Sequence, residues 1–150
     1  MIPLAKKATP AAIAVLRQAT AHWPKRNKAS DGLLPSAAHV NQNPNSDHNS
    51  GFAVDLTTDP GRGVSCAVIY LELQKDPRVK YLIFKGVIWA KESGRKEYTG
   101  PNPHNKHLHI SIKFGYGGDT SPWFPWLGSP TKINKVKAAV KPLPKKKEKK

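Results

Sequence analysis

Between His107 and Lys113 the chain alternates strictly: Leu108, Ile110 and Ile112 fall on one side of an extended backbone, and His107, His109, Ser111 and Lys113 on the other. Successive side chains of a strand point to opposite faces, so this segment reads as a strand with one apolar and one polar face. Phe52-Ala53-Val54-Asp55-Leu56 repeats the pattern, with Phe52, Val54 and Leu56 on one face and Ala53 and Asp55 on the other.

The remaining elements follow from local signals. Val79–Phe84 and Val87–Trp89 flank Lys85-Gly86 and predict a hairpin. Thr9 as N-cap and Pro10 in the first turn open a helix through Ala11–Leu16 that ends near His22–Pro24. Val64–Lys75 predicts a second helix, closing before Pro77. Residues 25–50, rich in Asn, Pro, Ser and Asp, read as a long loop, and such loops in compact domains are usually functional. The polar stretch Lys91–Asn105 reads as another loop. Tyr116–Leu127 reads as an irregular strap, and Trp23, Trp89, Trp123 and Trp126 as packing residues. Helix then strands, without a βαβα rhythm or a repeat, predicts an α+β fold: a single domain with a small, mostly antiparallel sheet flanked by helices and long loops.

A chain of 150 residues has room for one such domain. Cys66 is the single cysteine, so no intrachain disulfide forms, and its apolar neighbours predict a buried thiol. The net charge is +15, and nine lysines and one glutamate in residues 131–150 supply +8 of it, leaving +7 on residues 1–130. That boundary divides a folded domain, 1–130, from a tail, 131–150, with too few apolar residues to offset ordering, expected to be flexible. The charge favours anionic partners: nucleic acid, anionic lipid or acidic wall polymers. No nucleic-acid motif is present, and charge alone gives salt-sensitive, nonspecific affinity. No apolar stretch approaches the ~20 residues of a membrane span. The apolar run Ala11–Leu16 stops at Arg17, too short for a signal peptide, so a soluble product made in the cytoplasm is expected.

Four of the six histidines fall in two places, His48 in Ser46–Asp55 and His104, His107 and His109 in His104–His109. These pieces suit a metal site. Ala53 shares a strand face with Asp55 and leaves space beside an ion. Gly51 lets the backbone bend between His48 and that strand. His107 and His109 point the same way, about 6.6–6.8 Å apart along the strand, so one can bind an ion while the other overlooks its open position. Two histidines and a carboxylate leave a fourth position for water, the plan of a catalytic zinc centre. Taken singly, a His or Asp in a loop is ordinarily a solvated side chain or turn former. The combination and spacing carry the reading.

Ser46-x-His48-x-x-Gly51-x-Ala53-x-Asp55 followed by His107-x-His109 resembles the zinc peptidases that include D-Ala-D-Ala carboxypeptidases and dipeptidases, phage L-Ala-D-Glu endolysins and the penicillin-insensitive murein endopeptidase. His104-x-x-His107-x-His109 is most similar to the murein endopeptidase branch. Val79–Phe84, Ile88-Trp89, Tyr98-Thr99-Gly100, Asn102-Pro103-His104, Trp23-Pro24 and Asp31-Gly32 are similar to domains of phage lysins and actinobacterial wall hydrolases. The resemblance covers roughly residues 15–125. It implies a hedgehog/D-Ala-D-Ala peptidase-like fold, Zn²⁺ on His48, Asp55 and His109, and His107 beside the reacting water. It also implies an endolysin that accumulates in the host cytoplasm and meets peptidoglycan once another factor opens the membrane, and the chain is expected to act as a monomer.

The carboxypeptidase and endolysin branches carry an acidic general base three residues before the last ligand. Lys106 stands there instead and cannot accept a proton while charged. His107 therefore takes the proton work, or a carboxylate from elsewhere does. His104 either contacts the substrate, orients His107, or is a surface histidine. Ser46 either hydrogen-bonds a ligand side chain or caps a turn. Arg26 is either a fork for a substrate carboxylate or a surface arginine. The rival functions are a D-Ala-D-Ala-type dipeptidase or carboxypeptidase, a nucleic-acid binder, and a non-catalytic metal-binding or basic protein.

Overall fold

The computed structural model describes residues 7–34, 46–100 and 102–127. The expected tail, the boundary near residue 130 and the middle of the 25–50 loop lie outside these residues. The described part is an α+β domain built on one antiparallel sheet. Helix α1 spans Pro10–His22, strand β1 Ala53–Thr57, helix α2 Cys66–Leu73, and β2 to β5 Val79–Phe84, Val87–Ala90, Gly94–Glu97 and His107–Ile112. The strand order is β1-β5-β2-β3-β4, so the last strand in sequence lies between β1 and β2.

Both helices form where the sequence predicts them. Thr9 Oγ1 accepts from Ala12 N at 3.3 Å, and Pro10 opens α1. Such a cap stabilises by about 1 kcal/mol. Alanines 11, 12, 14 and 19 line the buried face with Val15. Helix α2 is shorter than the Val64–Lys75 expected. Ser65 caps it by accepting from Val68 N at 3.3 Å, while Val64 is held in a bridge with Asp59. Cys66 is fully buried, and burial pushes its thiol up to about 12.

The core lies on the face expected to be apolar. Val54 and Leu56 of β1, Leu108, Ile110 and Ile112 of β5, and Leu82 and Phe84 of β2 join the buried residues of both helices in one cluster. Ile110, fully buried in a central strand, would cost about 2–5 kcal/mol on truncation to alanine. The strap closes the cluster with Trp123 and Phe124, while Trp23, Trp89 and Trp126 pack half-buried against it. Buried Arg78 anchors the strap. Its guanidinium lies 3.7 Å from the Trp123 ring centroid and donates to the carbonyls of Ser121 and Pro122 at 2.9 and 2.8 Å.

The stretch Lys91–Asn105 corrects one expectation, because it contains strand β4. Gly94–Glu97 pairs with β3 from Ala90↔Gly94 to Val87↔Glu97. Gly-Arg-Lys-Glu has no apolar alternation, and as an edge strand it needs none: charged residues are the usual dressing of an exposed edge. The two-residue turn before it is as expected. Lys85 and Gly86 both have positive φ, 47° and 78°, which suits the tight hairpin between β2 and β3.

Candidate metal centre

Beneath the covered face lies the polar one. On β1 and β5, Asp55 and His109 are direct partners across the ladder, and His107 stands opposite Thr57. Ala53, fully buried, is the small residue two positions before Asp55 on the same strand face. His48 arrives on a 3₁₀ turn, Asp47–Ser50, and Gly51 at φ 81° bends the chain from that turn into β1. A Cβ on Gly51 would lie 2.8 Å from the Lys7 carbonyl oxygen, so glycine is demanded twice over.

The side chains converge on one carboxylate. Asp55 Oδ1 lies 3.2 Å from His48 Nε2 and 3.2 Å from His109 Nδ1, and Oδ2 lies 3.6 Å from His107 Nε2. One ligand atom from each of His48, Asp55 and His109 falls within 4.8 Å of the others. Four ligands at about 2.0–2.1 Å around a tetrahedral ion would stand roughly 3.3–3.4 Å apart, close to the two 3.2 Å separations. The Asp55 carboxyl is also closely backed. Gly32 exchanges both backbone hydrogen bonds with Asp55, at 3.1 and 2.8 Å, and a Cβ there would approach Oδ2 to 3.2 Å.

Hydrogen bonds orient the rings. His48 Nδ1 lies 2.7 Å from the Leu33 carbonyl oxygen, which can only accept, so Nδ1 carries the hydrogen and Nε2 turns toward Asp55. A neutral His48 would set its Nε2 lone pair against a carboxylate oxygen, so the geometry calls for positive charge between them: a proton or a metal ion. The electrostatics agree. Burial opposes charge on His48, yet the Asp55 hydrogen bond and charge, helped by the Leu33 carbonyl and Asp47, raise its pKa. Burial likewise opposes ionised Asp55, but hydrogen bonds from His109 and His48 and their charges hold the carboxyl far below the usual range. The donor set fits a divalent ion. His48, Asp55 and His109 could hold one.

His107 and His104 sit beside this group. Burial lowers the pKa of His107. His104 is buried, at φ 63°, and packs edge-on against His107, His109 and Tyr98 with centroids 4.8, 5.6 and 5.4 Å away. Burial, then repulsion from His109 and His107, pushes its pKa down to about 4, and its Nδ1 is buried without a hydrogen-bond partner. A solvated surface histidine it is not.

Two other candidates do not join the cluster. Ser46 Oγ accepts from His48 N at 3.2 Å and caps the turn, acting on the backbone of His48 rather than its ring. Arg26 is corrected on both counts: it is neither a substrate fork nor a surface residue. It is 5% exposed, and its guanidinium pairs with both Asp31 oxygens at 3.0 and 2.7 Å, with a further bond to Thr20 Oγ1 at 3.2 Å. Lys106 is exposed on the turn before β5. Sequence reasoning missed Leu33 and Gly32, which act through backbone atoms and leave no side-chain signal. It also missed Asp47, whose charge helps raise the His48 pKa, and Tyr81, whose ring stacks on that of His109 with centroids 5.4 Å apart; Ser111, whose Oγ lies 2.8 Å from His109 Nε2, showed itself only by its place on the His109 face.

The fold and this face together define a small α+β domain with a His-Asp-His group able to hold a metal ion. Residues 5–109, about seven-tenths of the chain, match the family described as VldE, C-terminal domain, and the chain belongs to that family. The match includes His48, Asp55, His104, His107 and His109. No curated protein and no solved structure matches the chain.

Proposed function

We propose that this chain is a zinc peptidase that hydrolyses amide bonds in the stem or cross-link peptides of bacterial peptidoglycan, acting as a phage endolysin. The observation that carries the reading is the convergence of two imidazole nitrogens on one carboxylate oxygen at 3.2 Å, with a third imidazole 3.6 Å from the other oxygen. The resemblance of Ser46–Asp55 and His104–His109 to the murein peptidases supplies the substrate class. An ion held by His48, Asp55 and His109 would supply Lewis-acid polarisation of the scissile carbonyl and an acidified water. His107 Nε2, beside Asp55, takes the proton from the attacking water and returns it to the leaving amine. The Asp55 charge stabilises the imidazolium formed meanwhile. Lys106 has no acceptor to offer.

On this reading the protein is made in the host cytoplasm and reaches the wall after the membrane is opened, with the lysine-rich segment concentrating it on anionic envelope polymers. The test is incubation of purified protein with intact sacculi and, separately, with free D-Ala-D-Ala, with mass spectrometry of the products. Peptide release from sacculi that stops with a chelator and returns with zinc is expected. Cleavage of the free dipeptide alone would move the substrate to small D-Ala-D-Ala peptides. No release by the metal-loaded protein would overturn the reading.

A further inference from the structure

Strand β2 is irregular where it passes the candidate metal centre. Val79 pairs with Ile112 of β5 and Tyr81 with Ser111, so the register shifts and Lys80 is an extra residue in the ladder. Strict alternation would send Lys80 and Tyr81 to opposite faces, whereas the bulge turns both away from the core. The Tyr81 ring stacks on His109 with centroids 5.4 Å apart, and Lys80 Nζ lies 5.8 Å from the Tyr81 centroid. The ammonium therefore stands at most about 11 Å from the His109 ring. An extended peptide covers that span in about three residues.

Lys80 is held on one side and open on the other. Its Nζ donates to the two Asp47 carboxylate oxygens at 3.3 and 3.1 Å, and Asp47 begins the turn that carries His48. The lysine side chain is 46% exposed and the aspartate 3%. An ammonium carries three donors, so Asp47 can take two and at least one is left over. The Phe114 ring, in a residue 59% exposed, lies 6.0 Å from Nζ and thins the water around the charge. Asp47 is covered and its charge is matched by Lys80, while the net charge of +15 favours a further anion.

We propose that Lys80 is a substrate-binding residue whose remaining ammonium donor holds a carboxylate of the stem peptide, within about three residues of the amide that is cut. The proposal rests on the peptidase reading and adds which group of the peptide sets its position on the sheet. Such a contact is made equally in the ground and transition states, so it acts on KM rather than on kcat.

The experiment compares a synthetic stem peptide that keeps all its carboxylates with peptides in which each carboxylate in turn is a carboxamide. Full-length wild type, Lys80→Met and Lys80→Arg are assayed with zinc for kcat and KM, and without metal for peptide binding by calorimetry. In wild type, amidation at one position should raise KM and weaken binding about 10-fold. Lys80→Met should bring the acid to the level of that amide, and Lys80→Arg should restore the preference. A displaced His48 turn would slow acid and amide alike, so the ratio between them isolates the contact. Lys80→Met leaves Asp47 without its partner, so Asp47→Asn/Lys80→Met replaces it if the single variant fails to fold. Equal KM and binding for the acid and every amide in wild type, or a preference that survives the loss of Lys80, overturns the proposal. A wild type that binds the acid more tightly through Lys80 yet cleaves no peptide upholds the contact and sinks the peptidase reading.

Discussion

Arg26→Met separates two roles for a single arginine. The Arg26 side chain is 1% exposed and meets the 15%-exposed Asp31 through two short bonds, 3.0 and 2.7 Å. Methionine fills much of the volume but leaves the largely covered Asp31 carboxyl without its guanidinium partner. Breaking one side of a buried pair costs about 3–5 kcal/mol. For a domain this size each kcal/mol lowers the melting temperature by roughly 4 °C, so a fall of about 12–20 °C is expected. Asp31 also accepts from Thr57 N and Oγ1 at 3.1 and 2.7 Å, just before Gly32 and Leu33 set the positions of Asp55 and His48. Metal affinity should therefore fall together with stability. Circular-dichroism melts and metal content per chain measure both. A variant that melts within about 3 °C of wild type yet raises KM for peptide release would refute the buried-pair argument and restore the substrate-fork role.

The adjacent strand histidines should part company: His109→Ala loses the metal, whereas His107→Ala keeps it and loses ~10²–10⁴-fold in kcat at little change in KM, with Lys106→Ala nearly silent. Zinc content and sacculus turnover on each variant decide this, and a zinc-free His107→Ala would remove His107 from proton transfer. His104, with its pKa at about 4 against an ordinary 6.5, takes up a proton on unfolding between those values. The metal-free protein should therefore lose stability as pH falls from about 6.5 toward 4, and His104→Asn should flatten that slope in denaturant titrations. Truncation after Pro130 should spare zinc content and activity on small muropeptides while weakening attachment to cells at low salt, a difference that shrinks as ionic strength rises.

What could be read in advance was whatever depends on periodicity or on side-chain chemistry at short range. The period-two runs at residues 52–56 and 107–113 located β1 and β5 and assigned the correct faces, because a half-buried strand cannot hide its alternation. Thr9-Pro10 and Lys85-Gly86 marked a cap and a turn through local backbone preference. Strand β4 escaped because its identity comes from its partner β3, and Gly94–Glu97 has no buried face to advertise. Arg26 escaped for a related reason: a guanidinium looks the same in sequence whether water or Asp31 receives it. Its contact depends on how the 26–32 loop folds back on Thr57. The Leu33 carbonyl that orients His48 could not be read at all, since every residue has one.

The facing of Asp55 and His109 across β1 and β5 has a consequence for folding fidelity. The two strands are brought together over 49 intervening residues, a late and error-prone pairing. Slipping that register by a single residue would turn one of the two side chains toward the core and dismantle the site. An ion that binds only the native arrangement would then stabilise it by mass action and leave every slipped pairing unrewarded. On the proposed metal reading, the centre that polarises a substrate would also proofread the sheet that carries it, and refolding in chelator should yield more misassembled chains than refolding with zinc.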